Sequence, residues 1–419
     1  MRTISLLPLS PTAILCALSM VALPMTSLSD EQWFKGNTHT HSLWSDGNDF
    51  PEMIADWYKK QGYNFLVLSD HNTLSRGERW MKTADVEKRK RSLGRPIVAK
   101  YLDRFGSDWV ELRGEGGARE VRLRPLDEIR PQFDEEGKFL LIEGEEITDK
   151  FEKLQVHTNA INLGEPIKPQ HGSSLRETMR NNLLAVQEQA ERLKRPIFAH
   201  LNHPNFQWSI TAEDIAHVLE EKFFEVYNGH PGINHLGSEE RGRPGDEKIW
   251  DIANTLRRAE LDGDLLHGVA TDDSHTYHGG DVKPGRGWIM VRAEKLDADT
   301  LVRAIQAGEF YASSGVLLDQ VRFAPETNTL EIEIAGSDET DGKVTTQIIG
   351  TLRGEEGDPA LVGKPLASYS TRKIRHQLSG DEWFVRATIT SDRAHPLPSF
   401  PGQKQQAWTQ PVIPAAPNK

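Results

Sequence analysis

Short apolar runs alternate with segments of helical period from about residue 34 to residue 315. The runs at 34–38, 64–69, 138–142, 155–161, 196–200, 223–227 and 267–271 have strand length, and polar residues follow most of them. Amphipathic stretches fall between several of these runs. Residues 51–60 begin on Pro51, put Ile54, Trp57 and Tyr58 on one face and stop before Gly62, which are helix start and stop signals. Thr211 and Asp214 look like an N-cap ahead of Ile215, Val218 and Leu219. Strand–helix alternation of this kind predicts an α/β fold with parallel units, closed as a barrel or open as a doubly wound sheet.

Two segments break the rhythm. Residues 81–136 are highly charged and contain glycine, as in Glu115-Gly116-Gly117-Ala118-Arg119-Glu120. They read as an insertion, and their polarity favours a solvated excursion over a substrate lid. From 316 onward polar and apolar residues alternate with period two, as in 329–334 and 383–389, which predicts a small all-β domain over 316–395. The proline-rich, polar stretch 396–419 predicts an irregular tail.

Composition narrows the function. The 419 residues are 37% hydrophobic and 27% charged, which is ordinary for a globular protein. The net charge of −12 argues against nucleic-acid binding. A small anionic substrate stays compatible, because bound cations can reverse the field inside one cleft. Arg2 is the sole charge before Asp30, and an apolar run from 12 to 23 is followed by Pro24 and small polar residues. That pattern predicts a signal peptide over 1–29 and an exported protein, periplasmic or secreted. The run is too short and proline-broken to span a membrane, so no stable membrane association is expected after its removal. Cys16, the single cysteine, lies inside this segment. Any metal in the mature chain must then be held by His, Asp and Glu.

The 15 histidines sort by neighbourhood. Asn37-Thr38-His39-Thr40-His41 closes the first run, and on extended backbone residues two apart point the same way. Asp70-His71 follows the second run and Glu145-Glu146 the third. His157 lies on the fourth, His200 and His203 close the fifth, Glu225 lies on the sixth, and Asp272-Asp273-Ser274-His275 follows the seventh. A lone histidine is more often a satisfied polar residue than a ligand. Seven strand ends carrying ligand-type residues to one face of a β/α fold indicate a site.

These segments resemble the PHP (polymerase and histidinol phosphatase) superfamily. The likeness rests on His39-Thr40-His41 with Ser45-Asp46-Gly47, Ser69-Asp70-His71, Gly144-Glu145-Glu146, His203-Pro204 and Asp273-Ser274-His275, in family order across residues 35–275. Phe224-Glu225-Val226-Tyr227-Asn228-Gly229-His230 and Phe310-Tyr311-Ala312-Ser313-Ser314-Gly315 further resemble the CehA/McbA-like metallohydrolase branch, named for carbaryl hydrolases. The resemblance implies a distorted (β/α)7 TIM-like barrel holding two to three divalent ions. By motif position, one ion takes His39, His41, Glu146 and Asp273. A second shares Glu146 and adds His157 and His203, and a third takes Asp46, His71 and His275. Glu145 competes with Glu146, His200 with His203 and Asp272 with Asp273; the motif spacings select the second of each pair. Asp70 and Glu225 are expected to orient histidines or position water. Arg286, Arg241 and Arg243 are candidates to meet an anionic substrate.

The ligand chemistry suits Zn, Mn or Fe. The leading expectation is a metal-dependent hydrolase using a metal-bridged hydroxide on a small phosphate ester, with Glu146, Asp273 and His275 at the reaction centre. A carbamate, ester or amide hydrolase and a metal-stabilised binding module are the alternatives.

Overall fold

The computed structural model describes residues 31–89 and 95–415. The expected signal peptide and the last four residues, 416–419, lie outside the described residues. In chain order the elements are β1 (Gln32–Asn37), α1 (Pro51–Lys60), β2 (Phe65–Leu68), β3 (Arg79–Lys82), α2 (Thr83–Lys88), α3 (Ile97–Phe105), β4 (Leu112–Arg113), β5 (Glu120–Leu123), α4 (Leu126–Phe133), β6 (Leu140–Phe151) and β7 (Leu154–Ile161). There follow α5 (Leu175–Leu193), β8 (Phe198–Leu201), α6 (Ala212–His217), β9 (Phe223–Asn228), α7 (Asp246–Ala259), β10 (His267–Thr271), β11 (Trp288–Ala293), α8 (Ala298–Gln306) and β12 (Phe310–Ser313). The C-terminal part adds β13 (Leu318–Ala324), β14 (Thr329–Ile334), α9 (Asp338–Asp341), β15 (Val344–Leu352), β16 (Lys364–Tyr369), β17 (Lys373–Gln377), β18 (Glu382–Ala394) and β19 (Lys404–Thr409).

The fold is mixed α/β around one large sheet, in the order β10-β9-β8-β7-β6-β2-β1-β11-β12-β19-β18-β15-β16. β1 to β2, β2 to β6, β8 to β9 and β9 to β10 are parallel. β6–β7 and β7–β8 are antiparallel, which departs from the expected run of parallel units. The cause is local. Only Glu152 and Lys153 separate β6 from β7, with Glu152 at φ 54°. Two residues can close a hairpin but cannot carry a crossover helix.

The expected closed barrel is not formed by hydrogen-bonded ladders. The seven-strand arc from β10 to β1 stays open as a sheet, and its two ends meet at an isolated bridge between Thr40 and Ser274. Around that bridge His41 N–H donates to the Ser274 carbonyl (3.0 Å) and Asn48 N–H to the His275 carbonyl (3.0 Å). The loops after β1 and β10 are thereby tied at the end of the arc where the site lies.

The C-terminal strands are not set apart from this sheet. β19, β18, β15 and β16 extend it beyond β12, while β13, β14 and β17 form a separate three-stranded sheet. Lys404–Thr409, in the stretch expected to be irregular, is the strand β19 between β12 and β18. Its polar outer residues hide the alternation, but Ala407 and Trp408 are fully buried. The insertion also differs from a solvated excursion. Val86, Ile97, Tyr101, Val121 and Leu123 form an apolar cluster that closes on Leu43, Trp44 and Phe50, just past the paired histidines. Charge decorates its exterior and apolar residues brace the loop after β1. Elsewhere local signals fare well: α1 starts on Pro51, and α6 carries a capping box from Thr211 and Asp214.

A buried ion pair ties α7 to β18. Arg386 donates through Nε and Nη2 to Asp251 at 2.7 and 2.9 Å, with the guanidinium 4.8 Å from the Trp250 ring centroid. Both side chains are buried, and Glu247 Oε2 stands 3.3 Å from Arg386 Nη1, so removing Asp251 takes the two-bonded partner and leaves the buried guanidinium one longer contact to a carboxylate. Asp251→Ala is expected to cost about 3–5 kcal/mol in urea unfolding, and Asp251→Leu with Arg386→Met to recover most of it. A loss below about 1 kcal/mol in the single variant would show that the pair does not hold the two parts together.

Candidate metal centre

Nine side chains from six strand regions converge at one end of the arc. β1 runs into His39 and His41, with Asp46 in the loop beyond. Gly47 is required there, because a Cβ would fall 2.4 Å from the His41 carbonyl oxygen. β2 runs into His71. β6 carries Glu146 and β7 carries His157, while β8 runs into His203 and β10 into Asp273 and His275. His203 and Asp273 have positive φ, 24° and 47°. Non-glycine residues held in that region concentrate at functional sites.

The distances define three overlapping groups. His39 Nε2 and His41 Nε2 are 3.1 Å apart, and each is 3.2 Å from Asp273 Oδ1. Glu146 Oε2 lies 3.5 Å from His39 and 3.3 Å from His41. Glu146 Oε1 faces His157 Nδ1 at 3.0 Å and His203 Nε2 at 3.5 Å. Asp46 Oδ1 meets His275 Nε2 at 3.3 Å, His71 Nε2 at 3.6 Å and His41 Nδ1 at 3.5 Å. Donor atoms gather into the sets His39-His41-Glu146, Glu146-His157-His203 and His41-Asp46-His71-His275, each within 4.8 Å. Asp46 is 57% exposed while Glu146 is 1% exposed, so the centre opens on the Asp46 side.

Divalent ions suit this arrangement. His157 Nε2 is a buried atom without a hydrogen-bond partner, and Glu146 Oε2 accepts no aligned hydrogen bond although three imidazoles face it within 3.5 Å, which is costly unless another group claims them. The donors are nitrogen and carboxylate oxygen, the chemistry of Zn, Mn or Fe sites. The imidazoles are also preset. His39 Nδ1 lies 2.7 Å from Glu225 Oε1, and His275 Nδ1 lies 2.9 Å from the Asp273 carbonyl. A proton on each Nδ1 leaves the Nε2 lone pair facing inward.

The field across the centre is uneven. Burial disfavours charge on His39, but Asp273, Glu225 and Glu146 overcome it and hold that imidazole well above its ordinary range. Burial, then His275 and His71, push His41 down to about 3. Burial opposes the Glu146 charge, yet His71, His39 and His157 hold it well below the usual carboxylate range. His71 is raised to about 11 against its burial, by Glu146 and Asp46.

The three adjacent or nearby pairs separate in space. Glu145, on the opposite face of β6 from Glu146, accepts from Ile167 N–H. His200 Nε2 pairs with Thr38 Oγ1 at 3.1 Å and joins none of the three sets. Asp272 accepts from Tyr58 Oη and from the N–H groups of Gly285, Arg286 and Gly287. Glu225 stands against His39 Nδ1, and it also accepts from Thr271 Oγ1 and His203 N–H. Among the described residues the Asp70 carboxylate makes no hydrogen bond to a histidine. It accepts from Ser42 N–H, Ser42 Oγ and Ser45 Oγ, so it shapes the loop that carries His41 and Asp46.

Arg286 is a correction. Its guanidinium donates through Nε, Nη1 and Nη2 to the carbonyls of Leu397, Gly229 and Pro398, and the residue is buried, so it braces backbone. Arg243 likewise donates to the Ile210 carbonyl, and Arg241 stacks 5.5 Å from the Trp208 ring centroid. His230, which closes the Phe224–His230 stretch that carries the branch resemblance but has no role assigned by it, sits at the rim 5.7 Å from the His275 ring.

No family model matches the chain, and no curated protein matches it. Solved structures resemble it distantly. A two-domain protein from Bacteroides vulgatus described as containing a predicted PHP-like metal-dependent phosphoesterase is 15% identical, with a TM-score of 0.39, over 91% of this chain and 95% of that one. A proposed metal-dependent phosphoesterase from Bifidobacterium adolescentis is 13% identical, with a TM-score of 0.27, over 65% of this chain and 94% of that one. An amidohydrolase from Chromobacterium violaceum, solved with sulfate and no metal, is 13% identical, with a TM-score of 0.27, over 57% of this chain and 87% of that one.

Ligands must lose their protons to bind a cation, so an imidazole held protonated makes binding proton-coupled. With His39 and His71 raised, zinc or manganese binding at pH 7 is expected to release protons and to weaken as pH falls. Calorimetry in buffers of different ionisation enthalpy measures this, and a buffer-independent heat would contradict it. In the same titration Glu146→Gln should weaken binding on the order of 10–100-fold, and Glu145→Gln by less than about twofold.

Proposed function

We propose that this chain is a metal-dependent hydrolase of the PHP type acting on a small phosphate ester. The observation that carries the reading is the shared buried carboxylate. Glu146 belongs to two ligand sets, and His41 links one of them to a third that opens to solvent at Asp46. A merely structural ion needs a closed set of ligands, whereas a catalytic one keeps an open side.

Divalent ions bound here would lower the pKa of a nucleophilic water and neutralise charge building on the substrate oxygens. His39, His41, Glu146, His157, His203, Asp273, Asp46, His71 and His275 would hold them. The chain itself sets the geometry. Glu225 and the Asp273 carbonyl fix the proton on Nδ1 of His39 and His275, and the Ser42 and Ser45 bonds to Asp70 fix the loop carrying His41. Burial of Glu146, His39 and His41 excludes bulk water from the inner side of the centre. Substrate approaches from the Asp46 side, past His71 and His275, which are 26% and 16% exposed.

Arg286 and Arg243 donate to backbone carbonyls, so compensation of an anionic substrate at the centre falls chiefly to the cations. The net charge of −12 supports a small-molecule substrate over nucleic acid, and the leader-like first 29 residues support export.

A panel of p-nitrophenyl phosphate, bis-p-nitrophenyl phosphate and naphthyl N-methylcarbamate tests the reading. Turnover of a phosphate ester is expected, lost by about a hundredfold or more in His39→Ala and Asp273→Ala. Turnover of the carbamate alone would replace the phosphoesterase reading with the carbaryl-hydrolase type. No turnover of any ester, with metals bound, would favour a binding module.

A further inference from the structure

His230 belongs to none of the three ligand sets, yet its ring stands at their edge. It lies edge-on to His275, with centroids 5.7 Å apart and planes at 86°, and it feels the charges of Asp273, His275, His203 and His39. The segment around it is tightly constrained. His230 N–H donates to Asn228 Oδ1 at 2.8 Å, and Asn228 Nδ2 donates to Glu225 and to Asp273. The Gly229 carbonyl accepts from Arg286 Nη1 and from Ser399 Oγ, both at 2.8 Å. Gly232 N–H donates to His230 Nδ1 at 2.9 Å. At Gly232 a Cβ would stand 2.9 Å from His230 Cε1 and 3.2 Å from Nδ1, so the close approach needs glycine.

The last of these bonds fixes the tautomer. An Nδ1 that accepts carries its lone pair there, and the neutral ring then has its proton on Nε2. That Nε2 makes no hydrogen bond among the described residues. Arg286 and the strap at 397–399 thus brace a segment whose imidazole offers an unused donor beside the open side of the centre.

We propose that His230 is a substrate-contacting residue whose Nε2–H donates a hydrogen bond to an oxygen of the substrate's anionic group. This deepens the hydrolase reading and rests on it. A donor held in place before substrate arrives costs no reorganisation, so it favours an oxyanion as charge develops.

The test compares wild type, His230→Ala, His230→Gln and Gly232→Ala as metal-loaded protein. Inorganic phosphate binding is read by calorimetry, p-nitrophenyl phosphate turnover by kcat/KM, and metal content by elemental analysis. His230→Ala should weaken phosphate by about tenfold and lower kcat/KM by about a hundredfold, with metal content unchanged. His230→Gln, which keeps an N–H donor near the Nε2 position, should recover much of both. Gly232→Ala, which displaces the ring, should fall in the direction of His230→Ala. Phosphate affinity and kcat/KM within twofold of wild type in His230→Ala would overturn the assignment. Loss of a metal equivalent in that variant would also overturn it, by making His230 a ligand. If wild type cleaves only the carbamate, the phosphoester reading fails by itself. The same kcat/KM comparison on the carbamate then decides His230, since that reaction also develops an oxyanion.

Discussion

A carboxylate taken out of water must be compensated, and the compensation of Glu146 organises this protein. Five imidazoles surround it. His71 Nδ1 lies 2.8 Å from one oxygen, which His39 and His41 also face; His157 and His203 face the other. Those five histidines come from the regions of β1, β2, β7 and β8, so with β6 five adjacent strands of the arc must be in place before the carboxylate is compensated. β6 makes this possible by changing partners along its length. Its first residues pair in parallel with β2, and from Gly144 onward it pairs antiparallel with β7. Glu146 therefore stands between the two halves of the arc.

The other acids near the centre show how position decides role. Glu145 and Glu146 are neighbours on a strand, so they point to opposite faces, and only one reaches the histidines. Asp272 and Asp273 divide similarly: Asp273 faces His39 and His41, while Asp272 gathers the backbone of 285–287 and Tyr58. Glu225 orients His39, and Asp70 shapes the loop that delivers His41 and Asp46. The centre is held from outside as well. The insertion closes an apolar cluster on Leu43, Trp44 and Phe50, and the strap at 397–399 is fixed by Arg286 and Gly229.

The ligand-type residues were legible in the sequence because their spacing is local. His39 and His41 sit two apart at a strand end, and Asp273 and His275 two apart after another. Seven such ends give a pattern that needs no knowledge of tertiary contacts. Other features depend on partners far along the chain. The β6–β7 hairpin replaces a crossover because two residues join the strands, but the apolar runs at 138–142 and 155–161 leave the true end of β6 unmarked. β19 is a polar-edged segment that becomes a strand between β12 and β18. Arg286 carries the same local signal whether it meets an anion or three carbonyls. His230 gains meaning only when Gly232 and Asn228 are seen to fix its ring.

The central claim is a multinuclear centre joined through Glu146 and His41. Elemental analysis of purified protein after metal supplementation tests it most directly. The account predicts two to three equivalents of divalent metal per chain. One equivalent or none, with all nine candidate ligand residues intact, would contradict it.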